Sequence, residues 1–181
     1  NFFFFFSDRN SNNENVRRGG VAFYISDKCT HKIRKDLSFK MLELLTVEIT
    51  PHKCKPLIIV LWYRTPGSHI DIFDHIINIL HSIELEGKDY ILMGDLNCDL
   101  LSPKPHCYTL KLIDMCTSFH LKQMITEPTR ITETSETLID LMYCSNTMKI
   151  SNSGVIHVGI SDHSMTYVIW GKNKNNDINI K

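Results

Sequence analysis

The sequence predicts an α/β fold, because apolar runs of strand length alternate along the chain with segments whose apolar residues recur at helical spacing. The clearest example is a strand–helix–strand unit, in which the apolar runs 57–62 and 90–93 flank a segment with one apolar face. A chain of 181 residues, 43% of them hydrophobic, can bury the core of one domain. We therefore expect one α/β domain over residues 1–170, followed by a disordered Asn- and Lys-rich tail over 171–181.

The first third of the chain is expected to consist mostly of strands. The aromatic run 2–6 favours a buried strand, and 21–25 and 44–49 are rich in β-branched, aromatic or alternating apolar residues. Residues 7–15 are polar and Asn-rich, which predicts an exposed loop. The basic residues of 28–35 are expected to form a solvated face rather than a phosphate contact.

Helices and short strands alternate in the rest of the chain. A helix is predicted between Ser68 and Gly87, because one face carries Phe73, Ile76, Ile77, Leu80 and Ile83. A second helix is predicted over 106–119. The remaining apolar segments predict short strands at 121–125, 138–143, 154–159 and 165–170.

The charges and cysteines narrow the class of protein. Lys and Arg number 20, as do Asp and Glu, which counts against a pure nucleic-acid-binding module but less against an enzyme with metal-binding carboxylates. The six cysteines include no Cys-x-x-Cys pair, so we expect no zinc site and reduced thiols, as in the cytoplasm or nucleus. No apolar run is long enough to span a bilayer, so no membrane partner is expected.

The segment from Tyr90 to Asp99 is the strongest local candidate for chemistry. Its apolar run 90–93 is typical of a buried strand, and Gly94 permits a tight backbone path before Asp95 and Asn97. Ligands and catalytic groups gather past strand ends in open α/β sheets, where a carboxylate and a carboxamide can address one substrate. The alternative is an Asx-turn that closes the strand, which is the commoner role of Asp-x-Asn taken alone.

Four polar groups at strand ends or inside strands together suit metal-assisted phosphoester hydrolysis. Mg²⁺ prefers a few oxygen ligands, a carboxylate or a histidine can deprotonate water, and neutral donors can stabilise charge on phosphorus. Each group alone is more often a surface loop or a turn cap, and their joint occurrence in this order favours a site. The four groups are Tyr63-Arg64, Asp95-x-Asn97, Thr137-x-x-Asp140 and Ser161-Asp162-His163.

Six motifs follow one another along the chain. They are Gly20-Val21-Ala22-Phe23-Tyr24-Ile25, Tyr63-Arg64-x-Pro66, Gly94-Asp95-Leu96-Asn97, Pro128-Thr129-Arg130, Thr137-Leu138-Ile139-Asp140-Leu141 and Gly159-Ile160-Ser161-Asp162-His163. This ordered set resembles the endonuclease/exonuclease/phosphatase superfamily over residues 1–170. The Thr-x-x-Asp and Pro-Thr-Arg elements make the endonuclease domain of jockey-type non-LTR retrotransposons the branch that it resembles most.

The resemblance implies a fold and an activity. The fold is a four-layer α/β sandwich, with two packed mixed β-sheets flanked by helices, and the activity is nicking of DNA that depends on Mg²⁺ or Mn²⁺. In this family a nick leaves the 3′-hydroxyl from which reverse transcription is primed. The implied partners are therefore target DNA and, in a full-length element, a fused reverse transcriptase.

The resemblance also implies roles for individual residues. His163 matches the residue that contacts the scissile phosphate, Asp140 the one that holds that imidazole, and Asp95 the one that orients or deprotonates water. The other catalytic positions, for phosphate contact, are Asn97 and Tyr63. Substrate contacts are expected from Thr137, Ser161, Arg64 and Arg130. The metal ligands are expected to be Asp162, Asp95 and Asn97.

One departure from the family pattern concerns its first two strands, which carry an Asn and the principal metal-binding Glu. The Phe run at 2–6 aligns just after that Glu, and Glu14 lies in an Asn-rich segment where we do not expect it to substitute. We therefore expect a domain truncated by one or two strands at its N-terminus, with weak nicking or none. Two alternatives stay open: a non-catalytic remnant that binds nucleic acid or a partner, and a phosphatase of the same superfamily.

Overall fold

The computed structural model describes residues 2–7, 20–51 and 54–171. These residues belong to two compact units, Asn1–Asn97 and Cys98–Lys181. Most of the predicted loop at 7–15, with Glu14, and the predicted tail beyond Gly171 lie outside the described residues.

The first unit contains a mixed β-sheet and one α-helix. Its elements are β1 (Phe2–Ser7), β2 (Val21–Ser26), β3 (Thr30–Ile33), a short 3-10 helix (Lys35–Leu37), β4 (Glu43–Thr50), β5 (Leu57–Tyr63), α1 (Ile72–Leu85) and β6 (Asp89–Asp95). Strands β3, β4, β5 and β6 are neighbours in that order, with β5 and β6 parallel and the other two pairings antiparallel. Strands β1 and β2 form a separate antiparallel pair. The predicted α/β class and the predicted strand–helix–strand unit are confirmed.

The sheet of the first unit is covered on both faces. On one face Trp62 of β5 meets Phe73 of α1 edge-on, with 5.6 Å between the ring centroids. On the other face Val21 and Ile25 of β2 pack with Leu45 and Val47 of β4 in a buried cluster. Burying such an apolar side chain stabilises the fold by about 1.5–3 kcal/mol, so these contacts hold the three layers together.

The Phe run forms the predicted strand, but of its five aromatic side chains only that of Phe5 is partly buried. Phe5 packs against the buried cluster, whereas Phe2 is 72% exposed and Phe4 and Phe6 are more than half exposed. Phe4 contacts the exposed Tyr24 of β2, with their ring centroids 4.8 Å apart. The prediction of a buried strand is therefore wrong except at Phe5, because side chains in a strand alternate between its two faces and only one face of this strand turns to the buried cluster.

A buried arginine is the centre of a charge network in the first unit. Arg34 was expected on a solvated face, and this is wrong, since it is buried and donates to carboxylates from three elements. Its guanidinium lies 2.6 Å from Asp36, 3.0 Å from Glu48 of β4, and in contact with Glu86 at the end of α1. Lys88 also contacts Glu48 and Glu86, at 2.9 and 2.7 Å. The long stem of an arginine explains the burial, because its charged head can pair while its methylenes pack.

Acidification is expected to destabilise the first unit through this network. The hydrogen bond from Arg34 lowers the pKa of Glu86 from 4.5 to about 2. Because the folded pKa is depressed, the stability that this carboxylate contributes is fully present above pH 4.5 and is lost as the pH falls through about 2. Thermal unfolding monitored by circular dichroism across this pH range measures the loss.

The variant Arg34→Met tests whether this network causes the acid sensitivity. Lys35→Met, at the exposed neighbouring position, is its control. Removing Arg34 leaves three carboxylates without their shared partner, so we expect a loss of about 3 kcal/mol at neutral pH. The Arg34→Met variant should also lose less stability than the wild type between pH 4.5 and 2. Equal acid sensitivity in wild type and variant would show that the network does not set the pKa of Glu86.

The second unit contains one helix and several short strands. Its elements are α2 (Cys107–Ser118), β7 (Lys122–Gln123), β8 (Arg130–Ile131), β9 (Glu136–Thr137), β10 (Asp140–Cys144), a 3-10 helix (Thr147–Lys149), β11 (Ile150–Ile156) and β12 (Met165–Trp170). Three antiparallel pairs form: β7 with β10, β8 with β9, and β11 with β12. The strand predicted at 121–125 is shorter than expected, and the one predicted at 154–159 begins and ends earlier.

The cysteines belong partly to the core. None of the six forms a disulfide, and Cys98, Cys116 and Cys144 are buried. Burial raises the pKa of the Cys116 and Cys144 thiols to about 12, so both stay protonated at neutral pH and behave as small apolar side chains.

Within the described part of the chain, neither helix is long and apolar enough to cross a membrane.

Candidate functional site

In the first unit the parallel pairing of β5 and β6 brings two of the predicted polar groups together. The strands run in the same direction, with Leu61 opposite Met93, so the segments that follow them leave the same edge of the sheet. The N–H of Arg64 donates to the carbonyl of Asp95 at 3.0 Å. The side-chain amide of Asn97 donates to the carbonyl of Arg64 at 2.9 Å. The groups Tyr63-Arg64 and Asp95-x-Asn97 are therefore neighbours.

The Asp95–Asn97 segment is both a turn and a cluster of polar side chains. The N–H of Asn97 donates to Asp95 Oδ1 at 3.1 Å, which is the Asx-turn that the sequence left open. Asn97 has a φ of 48°, in the left-handed region that Asn tolerates better than most residues. Both side chains are partly exposed. The turn thus fixes the orientation of a carboxylate and a carboxamide without burying them.

Arg64 is buried beneath this turn. Only 4% of the residue is exposed. Its Nε donates to the carbonyl of Leu96 at 2.5 Å and its Nη2 to the carbonyl of Asn97 at 2.7 Å. The guanidinium therefore holds the backbone of the Asp95–Asn97 turn, and the contact with substrate expected of Arg64 stays a prediction.

Sequence reasoning missed Glu43, a buried carboxylate at the start of β4. Its Oε2 accepts the N–H of Gly20 at 2.8 Å, and its Oε1 accepts the hydroxyl of Thr65 at 3.1 Å. Glu43 is also the cross-strand partner of Tyr63. It therefore ties the start of β2 to the loop after β5. The sequence does hold a signal for its burial. Glu43 lies two residues before Leu45, and residues two apart in a strand share a face, here the one that packs against β2.

In the second unit an imidazole and a carboxylate form a hydrogen-bonded pair. His163 Nδ1 lies 2.9 Å from Asp140 Oδ2, and both side chains are partly buried. Asp140 is the first residue of β10, and His163 precedes β12. The partner of Asp140 explains how a carboxylate is tolerated in an apolar run. We call these two residues the dyad.

Asp162, beside the dyad, is held by an arginine. Arg130 Nε donates to Asp162 Oδ2 at 2.8 Å, and the N–H of Ile131 donates to the carbonyl of Asp162 at 2.8 Å. The hydrogen bond from Arg130 lowers the pKa of Asp162 below its usual value. Ser161 Oγ accepts the N–H of His163 at 3.1 Å, and Thr137 is the cross-strand partner of Arg130. Arg130, Ser161 and Asp162 therefore lie next to His163, and Thr137 is paired with Arg130.

The donor groups present fit a hard divalent cation. Asp162 is ionised at neutral pH, as carboxyl groups ordinarily are, and Arg130 lowers its pKa further, while its side chain is 45% exposed. Besides the hydrogen bonds that it accepts from Arg130 and from the hydroxyl of Ser161, this carboxylate has further lone pairs for a cation. Asp95 and Asn97 offer oxygen donors of the kind that Mg²⁺ prefers. The predicted ligand types therefore suit the predicted metal.

Sequence reasoning also gave no role to Thr129, although it quoted the motif that contains it. Thr129 is completely buried. Its Oγ1 accepts the N–H of Asp140 at 2.9 Å and that of Ile139 at 3.2 Å. Its carbonyl accepts the N–H of Ser164 at 2.7 Å. Only the folded chain shows these bonds, because they join segments far apart in sequence.

Solved structures with the same fold include an endonuclease domain and a phosphatase. The endonuclease domain of TRAS1, a telomere-specific non-LTR retrotransposon, superposes with a TM-score of 0.76 and 16% identity over 94% of this chain and 80% of that one. An endonuclease/exonuclease/phosphatase family protein from Leptotrichia buccalis gives a TM-score of 0.61 and 12% identity over 94% and 71%. The mannosyl-6-phosphatase Bt3783 of Bacteroides thetaiotaomicron gives a TM-score of 0.55 and 12% identity over 93% of this chain and 77% of that one.

These identities establish a shared fold. No family model matches the chain, and no curated protein matches it. The resemblance to the endonuclease/exonuclease/phosphatase superfamily inferred from the motifs is confirmed at the level of the fold.

Proposed function

We propose that this chain, which has the endonuclease/exonuclease/phosphatase fold, is a metal-dependent endonuclease domain that nicks DNA, of the non-LTR retrotransposon type. The observation that carries the proposal is the hydrogen bond between Asp140 and His163, the last residue of the segment Ser161-Asp162-His163. A histidine held by a carboxylate is the usual means of presenting an imidazole to a reacting group. The TRAS1 endonuclease domain, with the highest TM-score among the structures above, supports an endonuclease rather than a phosphatase.

The dyad would act through the second ring nitrogen of His163. Because a carboxylate accepts hydrogen bonds, the contact with Asp140 favours the tautomer that is protonated at Nδ1, and Nε2 would then be the atom that meets the substrate. A protonated His163 can then donate from Nε2 to a non-bridging phosphate oxygen, where negative charge grows in the transition state. Asp140 stabilises the imidazolium that this requires.

The Asp95–Asn97 turn would supply groups for the attacking water and for the phosphate. Asp95 offers a carboxylate that can orient or deprotonate a water, and Asn97 offers an amide donor for the phosphate. Asp162, Asp95 and Asn97 would hold Mg²⁺, which when bound neutralises phosphate charge and lowers the pKa of coordinated water.

Conversion of supercoiled plasmid to the open circular form, with Mg²⁺ and with EDTA, tests the proposal. We expect weak nicking that needs the metal and falls by about 100-fold or more, to the level seen with EDTA, in His163→Ala. His69→Ala is the matched control, since His69 also pairs with an aspartate, Asp71, at 3.0 Å but on the exposed surface. Nicking that survives in His163→Ala, or that is lost equally in His69→Ala, would contradict the assigned role of the dyad.

A double variant tests whether both groups serve one reaction. If Asp95 and His163 act on one phosphodiester, Asp95→Asn combined with His163→Ala should be about as slow as the slower single variant. If the rate loss of the double variant instead equals the product of the two single losses, Asp95 and His163 contribute independently. Turnover of a small phosphomonoester without DNA nicking would instead favour a phosphatase, and DNA binding that survives both substitutions without any turnover would favour a binding remnant.

A further inference from the structure

The start of β10 has an unusual set of backbone hydrogen bonds. Three consecutive amides, those of Leu138, Ile139 and Asp140, donate to side-chain oxygens. Asp99 Oδ1 accepts the first at 3.0 Å, and Thr129 Oγ1 accepts the second and third at 3.2 and 2.9 Å. Regular strands donate such amides to a neighbouring strand. The backbone that carries Asp140 is therefore placed by side chains.

We propose that Thr129 is a positioning residue for the Asp140–His163 dyad. The inference rests on the proposed function, since it assigns the part of the fold that sets the geometry of its key pair. The Thr129 hydroxyl binds the N–H of Asp140, and its carbonyl binds the N–H of Ser164, next to His163. Thr129 is thus hydrogen-bonded to Asp140 and to the residue that follows His163.

The neighbours of Thr129 reinforce the same arrangement. Arg130 forms a β-bridge with His163 and an ion pair with Asp162. The N–H of Thr129 itself donates to the carbonyl of Thr137, three residues before Asp140. Displacing residue 129 would therefore shift Asp140 and His163 relative to each other.

The chemistry of a threonine at this position is specific. The residue is completely buried, so water cannot replace its oxygen, and loss of the hydroxyl leaves two backbone N–H groups without their acceptor. Valine has the same shape but no oxygen, whereas serine keeps the oxygen and loses only a methyl group. Comparison of the two separates hydrogen bonding from packing.

The test measures nicking kinetics and the His163 ring in Thr129→Val and Thr129→Ser. In the valine variant we expect kcat to fall about 10- to 100-fold with KM changed about twofold or less, because small displacements of catalytic groups act on the chemical step. The serine variant should stay within about threefold of wild type. Thr46→Val is the matched control: Thr46 is also buried, and its hydroxyl donates to the carbonyl of Leu37.

A proton NMR signal of the His163 ring gives a second readout that needs neither metal nor DNA. We expect a downfield Nδ1–H resonance in the wild type and in Thr129→Ser, and its loss in Thr129→Val but not in Thr46→Val. This readout distinguishes failure of the inference from failure of the proposed function, because it reports the dyad in a chain without activity.

Two outcomes would overturn the inference. One is a folded Thr129→Val variant with an unchanged ring signal and unchanged kcat. The other is loss of the signal in Thr129→Ser, which would show that packing of the methyl group places the dyad. The second outcome remains decisive where the valine variant does not fold.

Discussion

Replacing Gly94 with alanine is expected to prevent the first unit from folding. A Cβ atom at this position would lie 2.1 Å from the carbonyl oxygen of Trp62, and the φ of 136° is one that residues with a side chain rarely adopt. Trp62 belongs to β5, which is hydrogen-bonded to a strand on each side and cannot give way cheaply. We expect a loss of more than about 4 kcal/mol, a large part of the stability of an ordinary domain.

Soluble yield and thermal unfolding by circular dichroism measure this effect. Gly87→Ala is the control, since Gly87 also has a positive φ, of 61°, but nothing lies within 4 Å of the added Cβ. That variant should lose only about 1 kcal/mol, the energy of a left-handed backbone for an L-residue. Similar unfolding midpoints for the two alanine variants would show that the contact with Trp62 is not tight.

The position of Gly94 also matters for the site. It directly precedes Asp95, so the close approach of its backbone to Trp62 sets where the Asp95–Asn97 turn begins. The glycine is therefore required by the geometry that presents the carboxylate and the carboxamide.

Asp140→Asn is expected to give the largest loss of activity that leaves the fold intact. An asparagine can keep the 2.9 Å contact with His163, but it cannot stabilise an imidazolium, and its amide can favour the wrong tautomer. The corresponding change in serine proteases lowers kcat about 10⁴-fold, so we expect a reduction of about 10² to 10⁴ here. Nicking rates at saturating plasmid, with circular dichroism as a check on folding, measure it.

Asp71→Asn provides the comparison for this substitution. Its carboxylate contacts His69 at 3.0 Å, yet both side chains are well exposed, and we expect an unchanged nicking rate. A nicking rate for Asp140→Asn within about threefold of wild type would mean that the carboxylate does not tune His163.

The sequence alone was enough to predict the class of fold and the residues of interest. Apolar runs and helical periodicity depend on neighbouring residues, and they predicted β2, β4, β5, β6, α1 and α2 close to their observed bounds. The order of the polar motifs indicated a nuclease-like site before any distance was known. Local patterns succeed here because each depends on a few consecutive residues.

The tertiary structure decided which side chains hold the candidate site in place. The parallel pairing of β5 and β6 brings Arg64 under the Asp95–Asn97 turn. The exposed face of the Phe run and the burial of Arg34 and Thr129 were likewise fixed by contacts between distant segments. Hydrogen bonds and burial of this kind depend on pairing between distant segments. Composition and spacing therefore indicate the candidate residues, whereas packing decides which of them are buried and which groups they bond.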